Sequence, residues 1–204
     1  MEKRPRFEYT GQSSEEVLEH IETHRVFSVL GGLQWCIDAK ARAQGGEDKL
    51  SEEERVFLTV LALFSEVNNG GYRQFFWNSS RRYAPTVVKS LKRMQCDRTA
   101  ELTARAIAAL YLKEVTVERI TEEIKRENPE RNAELDALSR EFYSFNEITE
   151  QLLRFVVAER VRIQAPRTED YPRRPKRMEL PPAKRLMLPA DELYRRTKPP
   201  AVDS

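Results

Sequence analysis

The chain has 204 residues, of which 40% are apolar and 33% charged, enough for one domain with a proper core plus an appendage. Its 35 Lys/Arg and 33 Asp/Glu leave a formal charge of +2, which on net charge points neither to a nucleic-acid binder nor to an acidic mimic. Two cysteines, Cys36 and Cys96, exclude a disulfide framework. With no signal-peptide core and no apolar window of bilayer length, the expectation is a cytoplasmic chain in a reducing compartment with no membrane contact.

In chain order, residues 1–12 are expected to be flexible. Ser13, with Glu16 three residues on, forms a capping box, and Val17, Leu18, Ile21, Phe27, Leu30, Leu33 and Ile37 continue one apolar face until Gln44-Gly45-Gly46. Gly31-Gly32 inside that run predicts a kink or a close backbone approach. Ser51 with Glu54 starts the next helix, whose face is Val56, Phe57, Val60, Leu61, Phe64 and Val67. Asn68-Asn69-Gly70-Gly71 stops it, because glycine past a helix end takes the left-handed conformation without strain. Tyr72, Phe75, Phe76 and Ser79 share one side of a short helix.

Pro85 opens a helix carrying Val87, Val88, Leu91 and Met94. Asp97 caps another with Leu102, Ala106, Ala109 and Leu110, and Thr116 a third with Val117, Ile120 and Ile124 that ends before Asn128-Pro129. One long final helix is predicted from Glu130 to Arg162, striped by Leu135, Leu138, Phe142, Phe145, Ile148, Leu152, Phe155 and Val156. No alternating strand pattern occurs. The fold class is all-α, a single compact domain of about seven helices over residues 13–164.

From residue 165 the composition changes. Residues 165–204 hold ten Lys/Arg, six Asp/Glu and eight of the eleven prolines, leaving 25 basic and 27 acidic residues before them. This predicts a disordered, basic, Pro/Arg-rich tail, with PADELYRR at 189–196 able to form a turn or two of helix against a partner.

Several side chains are candidates for function. Glu66, Asn69, Gln74 and Asn78 are polar groups among Phe64, Tyr72, Phe75, Phe76 and Trp77. They form either a small polar ligand site in an aromatic wall or the hydrogen-bond partners of backbone groups freed at a tight turn. A glutamate buried among rings would have a raised pKa suited to acid–base work. Arg81 and Arg82 beside Trp77 and Tyr83 are either a base-stacking and phosphate cluster or cations at a helix end. Arg173, Arg174, Lys176 and Arg177 in the tail would give nucleic acid only weak, salt-sensitive binding. His20 and His24, four apart, lack a third ligand, so no metal is expected. Cys96 is either a buried structural thiol or one whose pKa is lowered by the helix it precedes. No catalytic triad, nucleophile elbow or cofactor motif is present, so the reading is non-enzymatic with no cofactor.

EVNNGGYRQFFWNSS at 66–80 resembles the signature of a bacterial helical domain family of unknown function that is named after a DNA-mimic protein. The matching positions are Glu66, Asn69, Gly70, Gly71, Tyr72, Gln74, Phe75, Phe76, Asn78 and Ser79. Residues 87–107 and 135–156 are similar to its following helices, so the likeness spans about residues 50–160. It implies a helical fold and a protein partner, for the name-giving member a DNA-binding protein bound in place of DNA. It implies no catalytic mechanism. A DNA mimic presents many carboxylates at phosphate-like spacing. Here the acidic sets Glu15/Glu19/Glu22, Glu52–Glu54 and Glu122-Glu123 are interspersed with nearly as many cations, which argues against true mimicry. The expected function is a protein-interaction module, with nucleic-acid binding and a small-molecule or enzymatic site at Glu66–Asn78 as the alternatives. The partner's identity and the oligomeric state, a homodimer included, stay open.

Overall fold

Ser13 and Ser51 start helices as the sequence predicts. Ser13 Oγ accepts from the Glu16 N–H at 3.3 Å while Glu16 Oε2 accepts from the Ser13 N–H at 2.9 Å. The Ser51–Glu54 pair repeats the arrangement at 3.1 and 2.9 Å. The computed structural model describes residues 4–144 and 147–171, and among them it contains eight helices and no strand. These are α1 (Ser14–Leu18), α2 (Val26–Gln44), α3 (Glu52–Trp77), α4 (Ala84–Arg93), α5 (Asp97–Ala108), α6 (Val117–Ile124), α7 (Pro129–Phe142) and α8 (Glu147–Ala158). None of them is long and apolar enough to cross a membrane.

The hub is α3, which packs against α4, α6, α7 and α8. Val56, Phe57, Val60, Leu61, Leu63 and Val67 of its first part are buried, as are Tyr72, Phe75 and Phe76 of its second. On another side Phe27 of α2 stacks on Phe64 of α3, ring centroids 4.9 Å apart. Lys40 of α2 reaches the fully buried Glu54 carboxylate at 2.8 and 3.0 Å and also donates to the Gln164 carbonyl at 2.8 Å, so the buried charge is paired and hydrogen-bonded. Arg131, 1% exposed, satisfies its guanidinium on the Glu123 and Arg126 carbonyls where α6 ends and on the Glu123 carboxylate.

Several expectations are corrected. The helix predicted to run from Ser13 to Gln44 is two, α1 and α2, divided at residues 19–25 and not at Gly31-Gly32. The Arg25 N–H that would continue a helix donates instead to the Pro5 carbonyl at 2.9 Å. Gly32 serves close approach without a kink: a Cβ there would stand 2.6 Å from Phe7 Cε1. That contact also accounts for the second difference. Residues 4–12 are packed, with Phe7 buried on Gly32 and its N–H donating to Ser28 Oγ at 2.8 Å.

The helix predicted from Glu130 to Arg162 is α7 followed by α8. At the end of α7 the Ser144 hydroxyl and amide both turn back to the Glu141 carbonyl, at 2.7 and 3.0 Å, a local bond that competes with helix continuation. Asp97 is the first residue of α5, and Cys96 before it makes no side-chain cap bond. The cap comes from α8, where Glu147 Oε2 accepts from the Thr99 N–H at 3.0 Å and from its hydroxyl at 2.7 Å. By contrast Thr116 and Asn128 cap α6 and α7, and Pro85 opens α4.

Contacts run past residue 164. The Ser14 N–H donates to the Ala165 carbonyl and the Ala165 N–H to Ser14 Oγ, both at 2.9 Å, and Tyr9 and Thr168 share a hydroxyl hydrogen bond of 2.9 Å. The tail from 172, with PADELYRR and the candidate contacts Arg173, Arg174, Lys176 and Arg177, lies outside the described residues, as does Phe145.

Candidate functional site around the break in helix α3

Gly70 (φ −163°, ψ 25°) and Gly71 (φ 74°, ψ −176°) interrupt α3, and the helix resumes at Tyr72. The sequence predicts a stop here; the structure places a sharp break between two helical arms. In a straight helix Glu66 and Asn78 would lie about 18 Å apart along the axis, farther than their side chains can span. Yet Glu66 Oε2 accepts from Gln74 Nε2 at 2.7 Å and from Asn78 Nδ2 at 2.8 Å. The break therefore turns the second arm back toward the first and closes the polar set upon itself.

The backbone groups freed at the break are met from α7 and its C-cap residue, Tyr143. The Tyr143 hydroxyl donates to the Val67 carbonyl at 2.7 Å. An unbroken helix would pair the Val67 C=O with the Gly71 N–H, so the phenol replaces the donor that the break takes from this carbonyl. The Tyr72 N–H donates to Ser139 Oγ at 2.9 Å, and Ser139 in turn donates to the Leu135 carbonyl at 2.7 Å. Gly71 is required twice over. Its φ suits glycine, and a Cβ would stand 2.6 Å from Ser139 Oγ.

Of the residues singled out in the sequence, Glu66, Gln74 and Asn78 come together, and Tyr72, Phe75 and Phe76 enter the core. Tyr72 packs edge-on against Phe142 and shares a 2.9 Å hydrogen bond with Thr103. Burial drives its phenol pKa well above the ordinary value, opposed by that bond. Asn69 and Trp77 stay at the surface, while Asn68 bonds the Phe64 carbonyl at 2.8 Å. Ser139, Tyr143 and Thr103 are the residues that sequence reasoning missed. They lie 31 to 76 positions from their partners, beyond any local spacing signal.

The other candidates are likewise engaged within the fold. Arg81 donates to Thr121 Oγ1 at 2.7 Å and to the Trp77 and Asn78 carbonyls at 2.6 and 2.8 Å, the position of a cation closing the end of α3. Arg82 pairs with Glu47 at 2.6 Å and Tyr83 at 2.7 Å. His20 and His24 pack edge to face 4.8 Å apart, and among the described residues no group of three His, Cys, Asp or Glu side chains could hold a metal. Burial pushes the Cys36 thiol up to about 11. Burial, followed by the Glu147 and Asp97 carboxylates, pushes Cys96 up to about 12, so its pKa is raised and not lowered by the helix it precedes.

The acidic clusters are partly consumed as well. Glu54 is buried on Lys40, Glu53 faces Arg93 and Arg162 at 3.6 and 3.5 Å, and Glu123 pairs with Arg131 and Arg126. Two surface grooves, of about 720 and 890 Å³, are lined by residues outside the Glu66–Asn78 set.

Residues 48–160 match the family described as DMP19-like protein, a stretch that includes Glu66 to Asn78 and the residues bonded to them around the break. No curated protein and no solved structure matches the chain. With more than half its length inside that match, the chain belongs to the DMP19-like protein family.

Proposed function

We propose that this chain is a non-enzymatic protein-interaction module whose partner is a DNA-binding protein. The family, named after a DNA-mimic protein, supplies the partner class. The observation that carries the reading is the inward closure of the signature. Glu66 holds the Gln74 and Asn78 amides, and Ser139 and Tyr143 hold the freed backbone. The most distinctive residues of the chain are thus occupied in building the bend, which leaves recognition to the outer surface. Because Glu53, Glu54 and Glu123 are paired with cations, that surface favours a local protein contact over a long phosphate-like track.

The test is capture on the immobilised full chain from its native cell, followed by elution with duplex DNA. The expected result is a DNA-binding protein that the duplex releases and that rebinds when purified. Recovery only of proteins that do not themselves bind duplex DNA would overturn the partner class.

A further inference from the structure

We infer that the groove between α1 and the segment following α8 is a docking site for a basic amphipathic helix of a partner protein. The groove, about 890 Å³, has an apolar lining of Leu18, Ile21, Val157 and Val161. Val157 and Val161 are 53% and 72% exposed, an unusual placement for adjacent branched apolar side chains on a helix end. Its walls are fixed, because Ser14 and Ala165 exchange two hydrogen bonds and Arg167 Nε donates to Glu16 Oε2 at 2.9 Å.

Charge selects the occupant. Glu15, Glu19 and Glu22 line the α1 side of the groove. Unlike Glu53, Glu54 and Glu123, none of the three carboxylates has a hydrogen-bond or ion-pair partner among the described residues. Helical turns continue past Leu18, with the Ile21 N–H on the Leu18 carbonyl and the His24 N–H on the His20 carbonyl, so the three stay on one side over about 10 Å. A facing helix with Lys or Arg at i, i+4 and i+7 repeats that spacing, and a Leu/Ile stripe on its adjacent face packs on the apolar lining. Arg160 stands on the opposite rim, which restricts the partner's cations to its α1-facing flank.

Most of this groove, residues 13–22 and 161–166, lies outside the family match at 48–160, so the inference does not rest on the family-based reading. The DNA-competed capture can fail while the groove binds, and the reverse.

The probe is a fluorescein-labelled Lys/Leu amphipathic helical peptide, titrated against the full chain by anisotropy, with a Glu/Leu peptide of the same pattern as comparison. The Lys/Leu peptide is expected to bind, more weakly as salt rises, and the Glu/Leu peptide not to bind. Because Glu15→Lys/Glu19→Lys/Glu22→Lys turns three attractive surface pairs into repulsive ones, it is expected to weaken binding about tenfold. Val157→Asp/Val161→Asp is expected to do the same at an unchanged melting temperature, since both side chains are exposed. Glu114→Lys/Glu127→Lys/Glu130→Lys, an equal charge change at exposed sites elsewhere, is expected to leave binding within about twofold, the modest change left by screened distant charges. Equal weakening by the two charge triples would overturn the proposal, as would equal binding of both peptides. So would a dimer in sedimentation velocity that Val161→Asp dissociates, because the groove would then belong to a second copy.

Discussion

At Gly71 the backbone takes φ 74° with ψ −176°, and the missing Cβ leaves room for Ser139 Oγ. Gly71→Ala therefore combines a backbone penalty of about 1–3 kcal/mol with displacement of the serine that holds the Tyr72 N–H. The expected outcome is an unfolding free energy in urea lowered by at least that amount, read as a lower midpoint at an unchanged slope. Tyr143→Phe makes a milder companion. It removes the hydroxyl from the Val67 carbonyl at a half-exposed position, where water can replace it, and is expected to cost about 1 kcal/mol. A Gly71→Ala variant as stable as the parent would mean that the bend tolerates a side chain and that Ser139 is not needed there.

Between elements, the informative contact is Glu147 of α8 reaching the Thr99 N–H in the first turn of α5. Glu147→Ala is expected to cost about 0.5–2 kcal/mol, the range for losing a helix cap, and to speed hydrogen exchange at the Thr99 amide; Glu147→Gln, which keeps an acceptor, recovers part of both. Unchanged exchange at Thr99 in Glu147→Ala would remove the cap assignment. This contact also marks how far a sequence can be read. The Ser13–Glu16 and Ser51–Glu54 boxes, the Thr116 cap and Pro85 were all legible, because donor and acceptor lie within one turn of chain. The division of α1 from α2 depends on Pro5, and the α5 cap on a residue 48 positions away, so neither leaves a local pattern. The same holds at the bend. Glu66, Gln74 and Asn78 stood out as polar residues among rings, but whether they bond the backbone or one another depends on the angle between the two arms of α3. The partners that set that geometry, Ser139 on α7 and Tyr143 just past its end, read in sequence as ordinary helix residues.

Across the molecule, the two ends of the helical unit are tied by one charged contact. Glu16 of α1 carries the Ser13 capping bonds and also pairs with Arg167 beyond α8. The Arg167 hydrogen bonds, followed by those from Ser13, lower its carboxyl from an ordinary 4.5 to about 2. A carboxylate whose folded pKa lies below its unfolded value contributes stability above the unfolded pKa, and that contribution is lost as pH falls through the folded one. The window here is therefore from about 4.5 down to about 2. Wild type is expected to exceed Glu16→Gln in melting temperature at neutral pH, and the gap is expected to narrow steadily across that window and to shrink in high salt, because the pair is exposed. Arg167→Ala should reproduce most of the effect, while the Ser13 bonds retain the remainder. The Ala165 amide, which donates to Ser14 Oγ beside this pair, should lose protection from exchange over the same pH range, ahead of amides in α3. Melting curves of wild type and Glu16→Gln that run parallel from neutral pH to pH 2 would show that Arg167 does not hold this carboxylate in solution. The α1 wall of the groove would then be held by the Ser14–Ala165 hydrogen bonds and by Val17 buried in the core.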